Sequence, residues 1–257
     1  IVYINGEQRW TGSTQKDGKI TTGGALVIGQ EQDRVAGGFD ANQAFAGQID
    51  DVRVWSVVRS AADIFANYVA LSSPQQREID EAENNGSTPG NVNPIIVETL
   101  IEAQCVPAPV DCEEVEQGGL LTELLSSSWL TGTDRWADAS GITHGKMGSG
   151  VTFDAAEDAM YFDGTAESGV RVPIDIESDD MEDVTFEAWV KIEKADRTNA
   201  RGYLVSVHNN AQTRRVTLYD KDLGNGPALG GKNAAKSGWG KLPEQTWTHI
   251  VAVIREE

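Results

Sequence analysis

The stretch that decides the fold runs Gly24-Ala-Leu-Val-Ile-Gly-Gln-Glu-Gln-Asp-Arg-Val-Ala-Gly-Gly-Phe-Asp-Ala-Asn-Gln-Ala-Phe-Ala-Gly-Gln-Ile-Asp-Asp-Val-Arg-Val-Trp55. Two β-rich runs, Ala25–Ile28 and Ile49–Trp55, flank a loop dense in Gly, Gln and carboxylates. Such a pairing predicts two strands holding an oxygen-rich loop between them. Working outward, Val2-Tyr3-Ile4 precedes Asn5-Gly6, the strongest short hairpin signal. Downstream, Ser60-Ala-Ala-Asp-Ile-Phe-Ala-Asn-Tyr-Val69 predicts one short helix with Ser60 as its cap. Further strands are expected at Ala159–Asp163, Gly169–Pro173, Val184–Ile192, Tyr203–Val207, Arg215–Tyr219 and Trp247–Ile254. Short strands at regular spacing with turn residues between them predict an all-β, antiparallel jelly-roll sandwich. Gly224-Asn-Gly-Pro-Ala-Leu-Gly230 reads as a loop, because no strand–helix context makes it a nucleotide fingerprint.

The chain has 257 residues with 40 acidic and 21 basic side chains, a net charge of −19. That charge repels nucleic acid and anionic membrane surfaces, and no apolar run approaches the ~20 residues of a membrane helix. The excess is localised: residues 1–70 carry −2, residues 71–117 carry −9 and residues 118–257 carry −8. The central segment also holds Ser72-Ser73-Pro74 and Asn84-Asn85-Gly86-Ser87-Thr88-Pro89-Gly90, the composition of a linker. Its two cysteines, Cys105 and Cys112, lack zinc-site spacing; they read as a small disulfide loop or as two spare thiols. Asn85-Gly-Ser is a glycosylation sequon. Pro94-Ile-Ile-Val-Glu-Thr-Leu-Ile101 is apolar within this acidic run and is expected to dock, as an added strand or a short helix.

The Gly24–Trp55 stretch closely resembles the C-terminal half of a pentraxin and, more widely, the laminin-G-like jelly rolls of the concanavalin type. Trp136-Ala-Asp-Ala-Ser-Gly141, Ala159-Met-Tyr-Phe-Asp-Gly164, Val184-Thr-Phe-Glu-Ala-Trp-Val-Lys191 and Trp247-Thr-His-Ile-Val-Ala-Val-Ile254 resemble the N-terminal half of the same fold. The halves therefore stand in permuted order: residues 1–70 as the C-terminal half, 71–117 as an acidic linker, 118–257 as the N-terminal half. Read tail to head, Trp247–Glu257 followed by Ile1–Gly6 is the normal continuation of the fold. Ile1–Ile4 is accordingly expected to lie antiparallel to Val251–Ile254. If the partner strand came from another copy, the chain would assemble head to tail; if from the same chain, it is a permuted domain; a fragment is the third reading. The resemblance also implies a disulfide between the strands at Val184–Val190 and Trp247–Val253, yet neither contains Cys.

In the pentraxin pattern, Gln-Glu-Gln-Asp and Phe-Asp-x-x-Gln hold two neighbouring calcium ions. The match implies Glu31, Gln32 (largely by its carbonyl), Asp33, Asp40 and Gln43 as calcium ligands, with Asn209 and Asn210 as candidates from the other half. Loop carboxylates, amides and carbonyls are the hard oxygen donors calcium takes. Glu78-Ile-Asp-Glu-Ala-Glu83 has the carboxylate spacing of jelly-roll glucanases, but its acidic linker setting reads as a solvated helix start. The expected function is a non-catalytic, calcium-stabilised extracellular structural module assembling into a filament or array with copies of itself. The alternative is a calcium-dependent lectin or recognition module for glycans or phosphorylated ligands. A glycan hydrolase would need a cleft with two facing carboxylates.

Overall fold

The computed structural model describes residues 1–12, 24–70, 119–129, 132–139, 141, 143–174, 183–193, 201–208, 213–220, 226–231, 234–236 and 240–255. Cys105, Cys112, Asn85, Asn209, Asn210, Glu78–Glu83 and Pro94–Ile101 lie outside these residues.

The chain is an all-β, antiparallel jelly-roll sandwich with one helix among the described residues. In chain order the strands are β1 (Val2–Ile4), β2 (Glu7–Trp10), β3 (Ala25–Ile28) and β4 (Ala46–Trp55), followed by α1 (Ala61–Ala70). After the acidic segment come β5 (Leu120–Trp129), β6 (Arg135–Asp138), β7 (Gly145–Met147), β8 (Val151–Asp154), β9 (Ala159–Asp163) and β10 (Val170–Val172). The last six are β11 (Asp183–Ile192), β12 (Arg201–His208), β13 (Thr213–Asp220), β14 (Gly226–Gly231), β15 (Ala234–Lys236) and β16 (Trp247–Arg255).

One layer runs β2-β1-β16-β11-β4, and the other runs β15-β14-β13-β12-β3-β10-β7-β6. β5 joins them: it starts beside β4, with Leu124 opposite Val52, and ends beside β6, with Trp129 opposite Trp136. The switch occurs at a bulge in β4, where Asp51 takes a φ of 51° and the register against β11 shifts between Glu187 and Trp189. The buried Asp50 carboxylate fixes this corner, accepting from the backbone N–H of Asp51 and of Ser126, both at 2.7 Å.

The core between the layers takes alternate residues from each strand, as the pleat requires. Val2 and Ile4, Val54, Phe186 and Val190, Ile250 and Ala252 face Leu26 and Ile28, Val205 and Val207, Val216 and Leu218. β3 sits between β12 and β10, and β4 between β11 and the pair β5 and β9. The strands of residues 1–70 are thus inserted between strands of the downstream segment, and neither set closes a layer alone.

β1 lies antiparallel to β16 in the same chain, with Val2, Tyr3 and Ile4 opposite Ala252, Val251 and Ile250. Ile1 and Val253 exchange backbone hydrogen bonds of 2.8 and 2.9 Å. The expected pairing is therefore made, and within one chain. β16 has β11 on one edge and β1 on the other, so its hydrogen bonding calls for no second copy. The predicted Asn5-Gly6 turn follows, with φ of 51° and 76°, the two positive values a two-residue hairpin turn demands.

β16 is apolar on both faces, as expected, because α1 covers the outer one. Ile64 packs on Tyr3, Val251 and Val253, while Tyr68 stacks on Trp189 at 5.7 Å between centroids. Ser60 caps α1 reciprocally: its hydroxyl accepts from Asp63 N at 3.1 Å and donates to the Asp63 carboxylate at 2.8 Å. That hydrogen bonding holds the Asp63 carboxyl below the usual carboxylate range.

Where the resemblance implies a disulfide, β11 and β16 are tied by a buried carboxylate–imidazole contact instead. Glu187 Oε1 lies 2.6 Å from His249 Nε2 at 1% and 0% side-chain exposure. Asn67 of α1 donates to the other Glu187 oxygen at 3.2 Å. The loop expected at Gly224–Gly230 is also a correction: residues 226–231 form β14, paired to β13 and β15. Pro227, which lacks an N–H, falls at the register shift between Thr217 and Asp220, where a ladder bond is dispensable.

Candidate functional site

The loop from Gly29 to Phe45 is closed at its neck by backbone. Gly29 N–H donates to Leu204 O at 2.9 Å, and Phe45 N–H donates to Gly29 O at 2.8 Å. Gly29 turns the chain out of β3 with a φ of +78°, and a Cβ there would meet the Phe162 ring at 2.5 Å. Glycine is therefore required by both conformation and space.

Inside the loop, Gln32 is a bracket. Its Nε2 donates to Ala25 O (3.0 Å), Ser206 O (2.9 Å) and Ser206 Oγ (3.2 Å), and its Oε1 accepts from Ala36 N (2.8 Å). With its side chain engaged in holding the loop, Gln32 would offer a cation its main-chain carbonyl, the donor the resemblance implies. Ser206 Oγ in turn donates to Gln30 O at 2.8 Å, and the Gln30 amide oxygen accepts from Glu31 N at 2.9 Å. The base of the loop is thus stitched to β12.

Beyond Asp33 the chain doubles back. Arg34 and Gly37 exchange backbone hydrogen bonds of 3.2 and 2.9 Å, with Ala36 at a φ of 52°. Gly38, at φ +76°, passes so close to Asp33 that a Cβ would lie 2.8 Å from the Asp33 Cβ. Arg171 of β10 steadies this outer arm by donating to Ala36 O at 2.9 Å and stacking on Phe39, 4.7 Å from the ring centroid. Asp40 then caps a short 3-10 turn over Ala41–Gln43, accepting from Asn42 N at 2.9 Å.

The implied ligands fall into two environments. Asp33 and Asp40 are exposed, whereas Glu31 is 5% and Gln32 0% exposed. Two oxygens stand out as buried acceptors with no hydrogen-bond donor among the described residues: Glu31 Oε2 and Gln43 Oε1. A buried acceptor without a donor costs about 1–3 kcal/mol, more when charged, so both favour an added cation. Burial lifts the Glu31 carboxyl above its ordinary range, and Asp33 adds to the rise while Arg215 and Arg201 oppose it. Among the described residues no three Asp, Glu, His or Cys side chains converge as they would around a metal. The three carboxylates are therefore not brought to one point, and the remaining donors would be amide and main-chain oxygens, which calcium accepts. The donor set fits a hard cation on chemistry.

Two participants escaped the sequence reading. Ser206 holds the loop base, and Arg215 of β13 places Nη1 3.5 Å from Glu31 Oε1 with its guanidinium 5.5 Å over the Tyr203 ring. The β12–β3 register sets Ser206 opposite Val27 at the loop base, and the β12–β13 register sets Arg215 opposite Ser206.

Residues 1–79 match the family described as Pentaxin. Over 68 residues the chain is 43% identical to C-reactive protein of Rattus norvegicus, covering 26% of this chain and 30% of that protein. Serum amyloid P-component of Sus scrofa is 36% identical over 78 residues, 30% of this chain and 35% of that protein. Neuronal pentraxin-2 of Mus musculus is 36% identical over 83 residues, 32% of this chain and 19% of that protein. The chain thus spans about a third or less of the length of these relatives. The pentraxin resemblance read from the loop is shown over this N-terminal part. No solved structure matches the chain at a significant level.

Proposed function

We propose that this pentraxin-like chain is a non-catalytic, extracellular, calcium-dependent recognition module, its halves joined in permuted order. Residues 1–70 act as the C-terminal half of the jelly roll, 118–257 as the N-terminal half and 71–117 as the connector. Calcium would be held by Glu31, Asp33, Asp40, Gln43 and the Gln32 carbonyl, with Asn209 and Asn210 as candidates from the other half. When bound, it supplies a Lewis-acidic contact for an anionic or hydroxyl-rich ligand. The protein's own part is to hold the loop: Gln32 and Ser206 fix its base, Gly38 and Arg171 its outer arm.

The observation that carries the reading is the pair of buried oxygens on Glu31 and Gln43 that have no donor among the described residues, both on residues the pentraxin pattern implies as ligands. The intra-chain pairing of β1 with β16 supports recognition over filament assembly, the other use of the complementary ends. Glycosylation at Asn85 and a Cys105–Cys112 loop would be consistent with an extracellular setting, and no described helix is long and apolar enough to cross a membrane.

Beads bearing a phosphate monoester, and beads bearing a simple sugar, test ligand recognition. The expected result is retention on at least one in calcium, release by chelator, and at least tenfold weaker retention of Asp33→Ala. Retention on neither, or retention that survives chelator, rejects recognition through calcium.

A further inference from the structure

We propose that Arg215 is a built-in counter-cation of the loop: its guanidinium neutralises Glu31 when no metal is bound and competes with a divalent cation for that carboxylate. The inference deepens the calcium reading above and rests on it.

Four features of the arrangement point this way. Arg215 Nη1 stands 3.5 Å from Glu31 Oε1, with side-chain exposures of 18% and 7%. Charge-assisted N–H···O contacts close to about 2.7–2.9 Å when they are optimised, so this one neutralises charge without saturating the carboxylate. The second oxygen, Oε2, has no donor among the described residues, so Glu31 is half satisfied. The guanidinium also lies over the Tyr203 ring, 5.5 Å from its centroid. It can cede the carboxylate and keep a favourable place on the ring, which makes the exchange cheap. Finally, Arg215 is not a drifting surface side chain. It stands opposite Ser206, the residue whose hydroxyl and carbonyl hold Gln30 and Gln32 on either side of Glu31.

A fixed positive charge beside a cation site has two consequences. It keeps the loop folded when calcium is scarce, because the buried carboxylate is not left alone. It also weakens calcium binding by like-charge repulsion in a partly buried setting.

Isothermal titration of the full chain with calcium chloride tests this on wild type, Arg215→Gln and Arg215→Met; the last keeps packing on Tyr203 without the charge. Both variants are expected to bind about tenfold tighter than wild type. In chelator both are expected to melt below wild type, so their calcium-induced rise is the larger. Arg215→Lys, which keeps the charge, is expected to stay within about threefold of wild type. Binding by the neutral variants alone, with wild type silent, also supports the proposal. If wild type binds and neither neutral variant binds tighter, the counter-cation is overturned and the calcium reading stands. If no protein binds, both are overturned.

Discussion

Replacing Glu187 by alanine is expected to remove about 2–3 kcal/mol of folding stability, the cost of leaving buried polar partners unsatisfied. Glu187 and His249 are almost wholly enclosed, 2.6 Å apart, between the first layer and α1. Tyr68 and Trp189 pack around the imidazole at centroid distances of 5.7 and 5.1 Å. Asn67 donates to the second carboxylate oxygen, so the pair also fastens the helix to the sheet. Without Glu187, the enclosed His249 loses its ring partner and the half-buried Asn67 loses its acceptor. Equilibrium urea unfolding measures the loss. Replacing both members with apolar residues, as in Glu187→Leu with His249→Leu, is expected to recover most of it, because desolvation then falls on nothing. A single substitution costing under about 1 kcal/mol would show that the pair is ornamental.

Tyr3→Pro is the second large effect. Ile1 and Val253 form a hydrogen-bonded pair, and Asn5 N–H donates to His249 O at 2.9 Å. Alternation along an antiparallel ladder makes Tyr3 opposite Val251 the hydrogen-bonded pair between them. Proline removes that donor and the phenol ring, which is 6% exposed beneath α1. A loss of at least about 3 kcal/mol is expected. Because β1 and β16 belong to one chain, the wild-type unfolding midpoint is expected to be independent of protein concentration. A midpoint that climbs with concentration, with Tyr3→Pro leaving a compact monomer, would mean that copies exchange this strand.

Much of the fold is legible wherever local chemistry and tertiary setting agree. Asn5-Gly6 makes its hairpin because only those residues take two positive φ values cheaply, and Ser60 caps its helix with Asp63 three residues on. β11 and β16 are β-branched or aromatic at most positions, β3 is wholly aliphatic, and all three lie near the expected bounds. β5 is the opposite case. Leu120, Leu121, Leu124 and Leu125 repeat at helical spacing, and nothing local says strand; β4 and β6 impose it from two different layers. β14 is hidden because Gly and Pro have poor strand propensity, and its pairing comes from neighbours.

The site divides in the same way. Glu31, Gln32, Asp33, Asp40 and Gln43 are legible because they lie within one contiguous loop. That Gln32 spends its side chain on the fold, and that Arg215 reaches Glu31 from 184 residues away, depends on a register no local pattern encodes.

The central claim is that the Gly29–Phe45 loop holds calcium, and thermal melts in calcium and in chelator test it most directly. An ion that binds only the folded chain stabilises it by about 2.7 kcal/mol at a hundredfold excess over its Kd. For a domain of this size that is a rise in Tm of roughly 5–10 °C. The account predicts such a rise for wild type, its near-abolition in Glu31→Gln, and no comparable rise with magnesium. Identical melting with calcium and with chelator would contradict it.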